Sequence, residues 1–158
     1  MIERYTRPEM GAVWADENKY KKWLAVELAV CEAWARLGRI PKSALREIQA
    51  KAAFSVEKID EIEKVVKHDV IAFLTSVAEN VGPQSRYIHV GLTSYDIVDT
   101  ALSLLIKESL DKILAQTRDL QRLLRREARK YKRPVCIGRP PGVHAEPVTF
   151  GFKLLVWY

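Results

Sequence analysis

The sequence predicts an all-α protein, and three observations carry that prediction. Apolar residues recur at three- and four-residue steps through most of the 158 residues. Gly and Pro punctuate these stretches at their ends, and none lies between Thr93 and Arg133. No segment carries a β-hairpin signal.

Taken in order, Asp16 is placed to cap a helix whose apolar face holds Tyr20, Trp23, Leu24, Leu28, Cys31, Trp34 and Leu37. Gly38 stands where a left-handed C-cap belongs. Pro41 opens a short helix containing Leu45, Ile48 and Ala52. Ser55 can cap the next one, with Val56, Ile59, Ile62 and Val66 on one side. Residues 70–81 are apolar all round, as a buried helix is, and Gly82-Pro83 ends them.

Thr93 or Ser94 can cap the longest element, with Asp96 beside the positive end of the helix dipole. Ile106, Leu110, Ile113, Thr117, Leu120, Leu124 and Tyr131 follow as a heptad seam. A helix of roughly 35 to 40 residues reaches about 50 to 60 Å. That exceeds the diameter of a small globule, so the helix needs a bundle of further helices or other subunits. Pro134 stops it, and a Gly/Pro-rich loop runs from Gly138 to Pro147. Pro147 suits the first turn of another helix, apolar through Trp157. A chain ending inside such a helix reads as the truncated front portion of a larger helical protein.

Composition narrows the function classes. An apolar share of 48% with 29% charged residues excludes intrinsic disorder. No apolar run approaches the ~20 residues of a membrane span. The first residues lack the basic-then-apolar build of a secretion signal, which points to the cytoplasm. Cys31 and Cys136 stand apart from each other and from any His, which excludes a disulfide scaffold and a zinc ribbon. The net charge of +6 is concentrated between Lys107 and Arg133, where ten basic residues face four acids. A basic run fits a nucleic-acid partner or the solvated face of a long helix. Without interleaved aromatics or Gly the second reading is favoured, and no nucleic acid or membrane partner is expected.

Of the three histidines, His68 sits at a helix boundary, and His89 lies in the stretch from Ser85 to Ser94. His144 lies in the Gly/Pro loop. Their spacing matches no helical metal motif, so no metal is expected. The His89 segment is chemically richer. A Gly-containing turn leads into Thr93-Ser94 at a helix N-terminus, where free N–H groups and two hydroxyls favour a carboxylate or phosphate. Arg86 and His89 are close by in sequence.

Four blocks together resemble the adenylosuccinate lyase family of the fumarase/aspartase superfamily. They are Glu3-Arg4-Tyr5-Thr6-Arg7-Pro8-Glu9-Met10, Lys67-His68-Asp69-Val70-Ile71-Ala72-Phe73, His89-Val90-Gly91-Leu92-Thr93-Ser94-Tyr95-Asp96 with Asp99-Thr100-Ala101-Leu102, and Gly138-Arg139 with Gly142-Val143-His144-Ala145-Glu146-Pro147. The resemblance implies a small N-terminal helical domain over 1–92 and the incomplete start of a long-helix bundle over 93–158. It further implies a cytoplasmic homotetramer whose active sites are shared among subunits and use no cofactor. The family eliminates fumarate from adenylosuccinate to give AMP, and from the succinylated carboxamide ribonucleotide of purine biosynthesis.

Such a C–N elimination needs a base, an acid, and cations or N–H donors for the anionic groups. By resemblance Arg4, Tyr5, Lys67, His68, Asp69, Thr93 and Ser94 bind the substrate, and His68 and His89 take the catalytic roles. Lys67 keeps the positive charge that Arg often supplies in the family, without its bidentate fork. The loop departs from the family pattern Gly-Arg-Thr-His-Gly-Val-His-Ala-Glu-Pro: Pro140 and Pro141 replace the Thr-His pair, and the His there has an acid/base role. Proline transfers no proton. The family's serine-bearing loop is also missing from these residues, so the chain by itself is expected to be inactive. A second reading, a non-catalytic helical oligomerisation or nucleotide-binding remnant of a lyase, remains open.

Overall fold

The computed structural model describes residues 2–158 and is helical nearly throughout, in seven helices with one small sheet among the described residues. The helices are α1 (Pro8–Val13), α2 (Asp16–Arg36), α3 (Lys42–Lys51), α4 (Val56–Val66), α5 (Asp69–Val81), α6 (Ser94–Lys130) and α7 (Phe150–Leu155). Strands β1 (Val135–Ile137) and β2 (Pro147–Thr149) lie between α6 and α7. Short 3-10 turns occupy Glu3–Tyr5 and Gly82–Tyr87. The chain divides into two compact units inside α6, between Ser109 and Leu110.

The first unit is organised by an aromatic cluster. Tyr20 and Trp23 of α2 meet Phe73 of α5, with ring centroids 5.8 and 5.5 Å from it, and Phe54 packs at 6.1 Å. Ile48, Ile59, Val70, Val77, Val81, Ile97 and Ala101 complete the buried core, which draws on α2 to α6. Phe73, Ala72 and Val77 of α5 are fully enclosed, as its composition predicts, whereas Ile71 is 44% exposed. A second cluster gathers Cys31, Ala35, Ile40 and Ala44 under Trp34 and Leu45.

Several helix ends follow their sequence signals. The Ser55 hydroxyl accepts the Lys58 N–H and caps α4. Gly38 adopts φ 73° and closes α2, as an αL C-cap does. Gly82, at φ 74°, ends α5. Other ends differ. The N-cap of α2 is Ala15, so Asp16 is the first helical residue, where its charge still meets the dipole and ion-pairs with Lys19 at 2.8 Å. Leu37 lies past the helix and is 70% exposed. Helix α6 ends at Lys130, ahead of Arg133, because Pro134 cannot follow a helical residue without a clash.

In the second unit the expectation of no strand pairing is corrected. Val135, Cys136 and Ile137 pair antiparallel with Thr149, Val148 and Pro147. Pro147 therefore opens a strand and not a helix; lacking an N–H, it sits at the strand's first position, where a missing donor is tolerated. Helix α7 starts later, capped by the Thr149 hydroxyl accepting from Phe152 N–H at 3.1 Å. Gly151 presses against the end of α6: its N–H donates to Tyr131 O at 2.8 Å, and a Cβ there would strike Ala128 O.

Apart from Leu124, the apolar residues of the seam expected on α6 are not ones this chain buries. Ile97 and Ala101 point into the first unit's core, Leu105 is also buried in that unit, and Leu124 and Ala128 are buried in the second. Ile106, Leu110, Ile113 and Leu120 are all more than two-fifths exposed. No helix of the described residues is long and apolar enough to cross a membrane.

Candidate functional site

Three segments of the first unit carry the residues singled out by sequence. Arg4 and Tyr5 lie in the first 3-10 turn, both exposed, with the Arg4 guanidinium 4.8 Å from the Tyr5 ring centre. Such stacking holds a cation and an aromatic face together at the surface.

The second segment is the junction of α4 and α5. Lys67 turns the chain with φ 55°, and His68 then serves as the N-cap of α5. Its Nδ1 accepts the Ile71 N–H at 3.5 Å, a long hydrogen bond. In a neutral ring this leaves the proton on Nε2, so His68 presents a donor. Asp69 takes the Val70 N–H at 2.7 Å and lies 3.4 Å from His68 Nδ1. All three side chains are exposed.

The third segment is held far more tightly. His89 adopts φ 66°, a left-handed conformation that non-glycine residues enter at a cost. Its N–H donates to Glu27 Oε2 at 3.0 Å, and its Nδ1 is 2.6 Å from Glu27 Oε1. Trp34 Nε1 donates to Val90 O at 2.9 Å. Gly91 follows with φ 77°, packed so closely that a Cβ would lie 3.2 Å from the Trp34 ring. Helix α2 thus clamps the turn 89–91 from below. Thr93 N–H donates to Asp96 Oδ2 at 2.7 Å, and Asp96 N–H returns to Thr93 O at 3.1 Å. The expectation of free N–H groups at this helix start is therefore corrected at Thr93, whose N–H the Asp96 carboxylate already occupies.

Ile88 and Ser85 share a groove with Ile71, Leu74 and Thr75 of α5, which places the His89 turn alongside the first turns of that helix. Among the described residues no hydrogen bond or ion pair joins the Arg4, His68 and Thr93 segments to one another. His144 and Arg139 belong to the second unit, in the exposed loop that links β1 to β2. Gly138 N–H donates to Glu146 O at 2.8 Å across the base of that loop, and Pro140 and Pro141 stand at its exposed tip.

Glu27 is the residue the sequence reading passed over. Its signal is position: Tyr20, Trp23, Glu27, Cys31 and Ala35 form the buried stripe of α2, and an acid on that stripe must find partners indoors. Burial pushes its carboxyl above the usual range, with the hydrogen bonds from His89 pulling the other way.

The lyase family model matches residues 3–158. The chain belongs to the lyase family. It is 56% identical to the adenylosuccinate lyase of Aquifex aeolicus (strain VF5) and 48% identical to that of Bacillus subtilis (strain 168), in each case over the whole of this chain and 37% of the relative. The chain thus spans a little over a third of the length of the curated relatives it matches. Among solved structures it resembles a fumarate lyase from Mesorhizobium sp. BNC1, with TM-score 0.88 and 30% identity over 94% of this chain and 36% of the other. A 3-carboxy-cis,cis-muconate lactonizing enzyme from Pseudomonas putida gives TM-score 0.86 and 30% identity over 95% and 36%. The resemblance read from the four sequence blocks is supported by these relatives.

Proposed function

We propose that this chain supplies part of a C–N lyase that eliminates fumarate from adenylosuccinate, and from the related succinylated carboxamide ribonucleotide. The observation that carries the reading is the 56% identity with an adenylosuccinate lyase along the entire chain. In this reading Arg4, Tyr5, Lys67 and Asp69 meet the nucleotide, and Thr93 and Ser94 offer hydroxyls to its anionic groups. His68, with a proton on Nε2, is suited to donate to the departing nitrogen, and His89 to accept or orient. Among the described residues no hydrogen bond or ion pair ties the three segments into one site, which fits a cytoplasmic homotetramer whose sites are assembled from several subunits. The proposed elimination uses side-chain acids, bases and cations and calls on no cofactor.

The Pro140–Pro141 pair favours a second reading, a lyase remnant that binds a nucleotide or oligomerises without turnover, since no proton can pass through either ring. One experiment separates the two. These 158 residues are joined to the remaining two-thirds of the Aquifex aeolicus enzyme, with and without Pro140→Thr and Pro141→His. Fumarate release that is weak with the Pro pair and rises about 10²-fold or more with Thr-His supports the lyase reading. No release from either form supports the remnant. The isolated chain should release no fumarate above a buffer control.

A further inference from the structure

The buried pairing of Glu27 with His89 has a chemical consequence that the site residues alone do not express. Glu27 is 1% exposed, and both of its oxygens are committed to a single residue. An ionised carboxylate only accepts hydrogen bonds, so the His89 N–H and His89 Nδ1 must both donate. A proton fixed on Nδ1 leaves Nε2 as a bare lone pair when the ring is neutral. The His89 side chain keeps a fifth of its surface open, while the carboxylate behind it has none. His68 has the opposite arrangement, since its Nδ1 faces a backbone donor.

We propose that Glu27 is a positioning residue for His89, holding the left-handed turn and locking the Nδ1–H tautomer so that Nε2 meets the substrate as an acceptor. The two histidines then present unlike nitrogens, a donor at His68 and an acceptor at His89. The surroundings support a fixed tautomer. Cys31, one turn along α2, donates its thiol to Tyr87 O at 3.7 Å and leaves both Glu27 oxygens to His89. The value of this tautomer for turnover rests on the lyase reading above; the tautomer itself does not.

Long-range proton–nitrogen correlation spectra of the uniformly 15N-labelled chain test the proposal, with His89→Gln used to assign the His89 signals. In the wild type, His89 Nδ1 should carry a proton. In Glu27→Gln the amide oxygen takes the backbone N–H and the amide NH2 turns to Nδ1, so the proton should shift to Nε2 and the pattern invert. His68 and His144 should not change, which also reports that the fold survives. A wild-type ring protonated on Nε2 alone, or a Glu27→Gln ring that keeps Nδ1–H, overturns the proposal. If Glu27→Gln fails to fold, the wild-type assignment still decides it.

A second arm uses the joined enzyme carrying Thr-His at 140–141. There Glu27→Gln should lower fumarate release by roughly 10²-fold. Undiminished release alongside an inverted tautomer would show that the locked tautomer does not serve the reaction. A joined enzyme that releases nothing even with Glu27 intact counts against the lyase reading and leaves the spectral result standing.

Discussion

At the scale of single residues, burial decides which groups are chemically quiet and which are held in readiness. Cys31 is 1% exposed, and its thiol donates to Tyr87 O at 3.7 Å. Its pKa is raised from 9.0 to about 11, first by burial and then by Glu27. For an acid raised in this way the folded chain keeps a proton that the unfolded chain loses. The stabilising contribution is therefore complete below pH 9 and is lost as pH rises toward 11. Urea unfolding of wild type and Cys31→Ala should show the wild type's margin shrinking across that window, and a constant margin would contradict the assignment. Truncating Glu27 to Ala leaves the His89 N–H buried without a partner and should cost about 1 to 3 kcal/mol by the same measurement. The candidate residues His68, His89, Thr93 and Ser94 were marked in the sequence by the family blocks that hold them, and each sits at a turn or helix start. Glu27 was hidden because a lone acid inside an apolar helix looks like an interruption until its partner, 62 residues away, is seen.

At the scale of elements, the helices were readable because their apolar spacing, caps and Gly ends agree. Phe73 shows how much rests on one position: it contacts Tyr20, Trp23 and Phe54 and is fully buried. Phe73→Ala should destabilise the first unit by roughly 3 to 5 kcal/mol in denaturant unfolding. The paired strands were not readable. Each has three residues, too few to display a two-residue period, and Pro147 mimics a helix start. What fixes them is tertiary: Phe150 N–H donates to Pro134 O, and Gly151 lies against Tyr131. Gly151→Ala forces a methyl group into the α6 backbone at Ala128 and Tyr131. Its amide should exchange with solvent much faster than in the wild type, and unchanged protection would show that the contact yields without loss.

At the scale of the whole molecule, the long helix raises the question of partners. Over 37 residues α6 buries Ile97, Ala101, Leu105, Leu124 and Ala128, while Leu102, Leu104, Ile106, Leu110, Ile113, Leu114, Leu120 and Leu123 stay open. A heptad pattern reports that a face will be covered, and it does not say by what. That is why the seam was visible in sequence while its occupant was not. We propose that other copies cover it, in keeping with the proposed lyase reading. Sedimentation should then show a self-associating chain, with Leu110→Glu and Ile113→Glu together returning it to a monomer. A wild type that sediments as a monomer at high concentration would argue against it.

The most direct measurement is a crystal structure of the joined enzyme with AMP bound. Arg4 and Tyr5, His68, His89, and Thr93 with Ser94 should surround one nucleotide, contributed by more than one subunit. A nucleotide bound elsewhere, with those segments on separate surfaces of the assembly, would contradict the account.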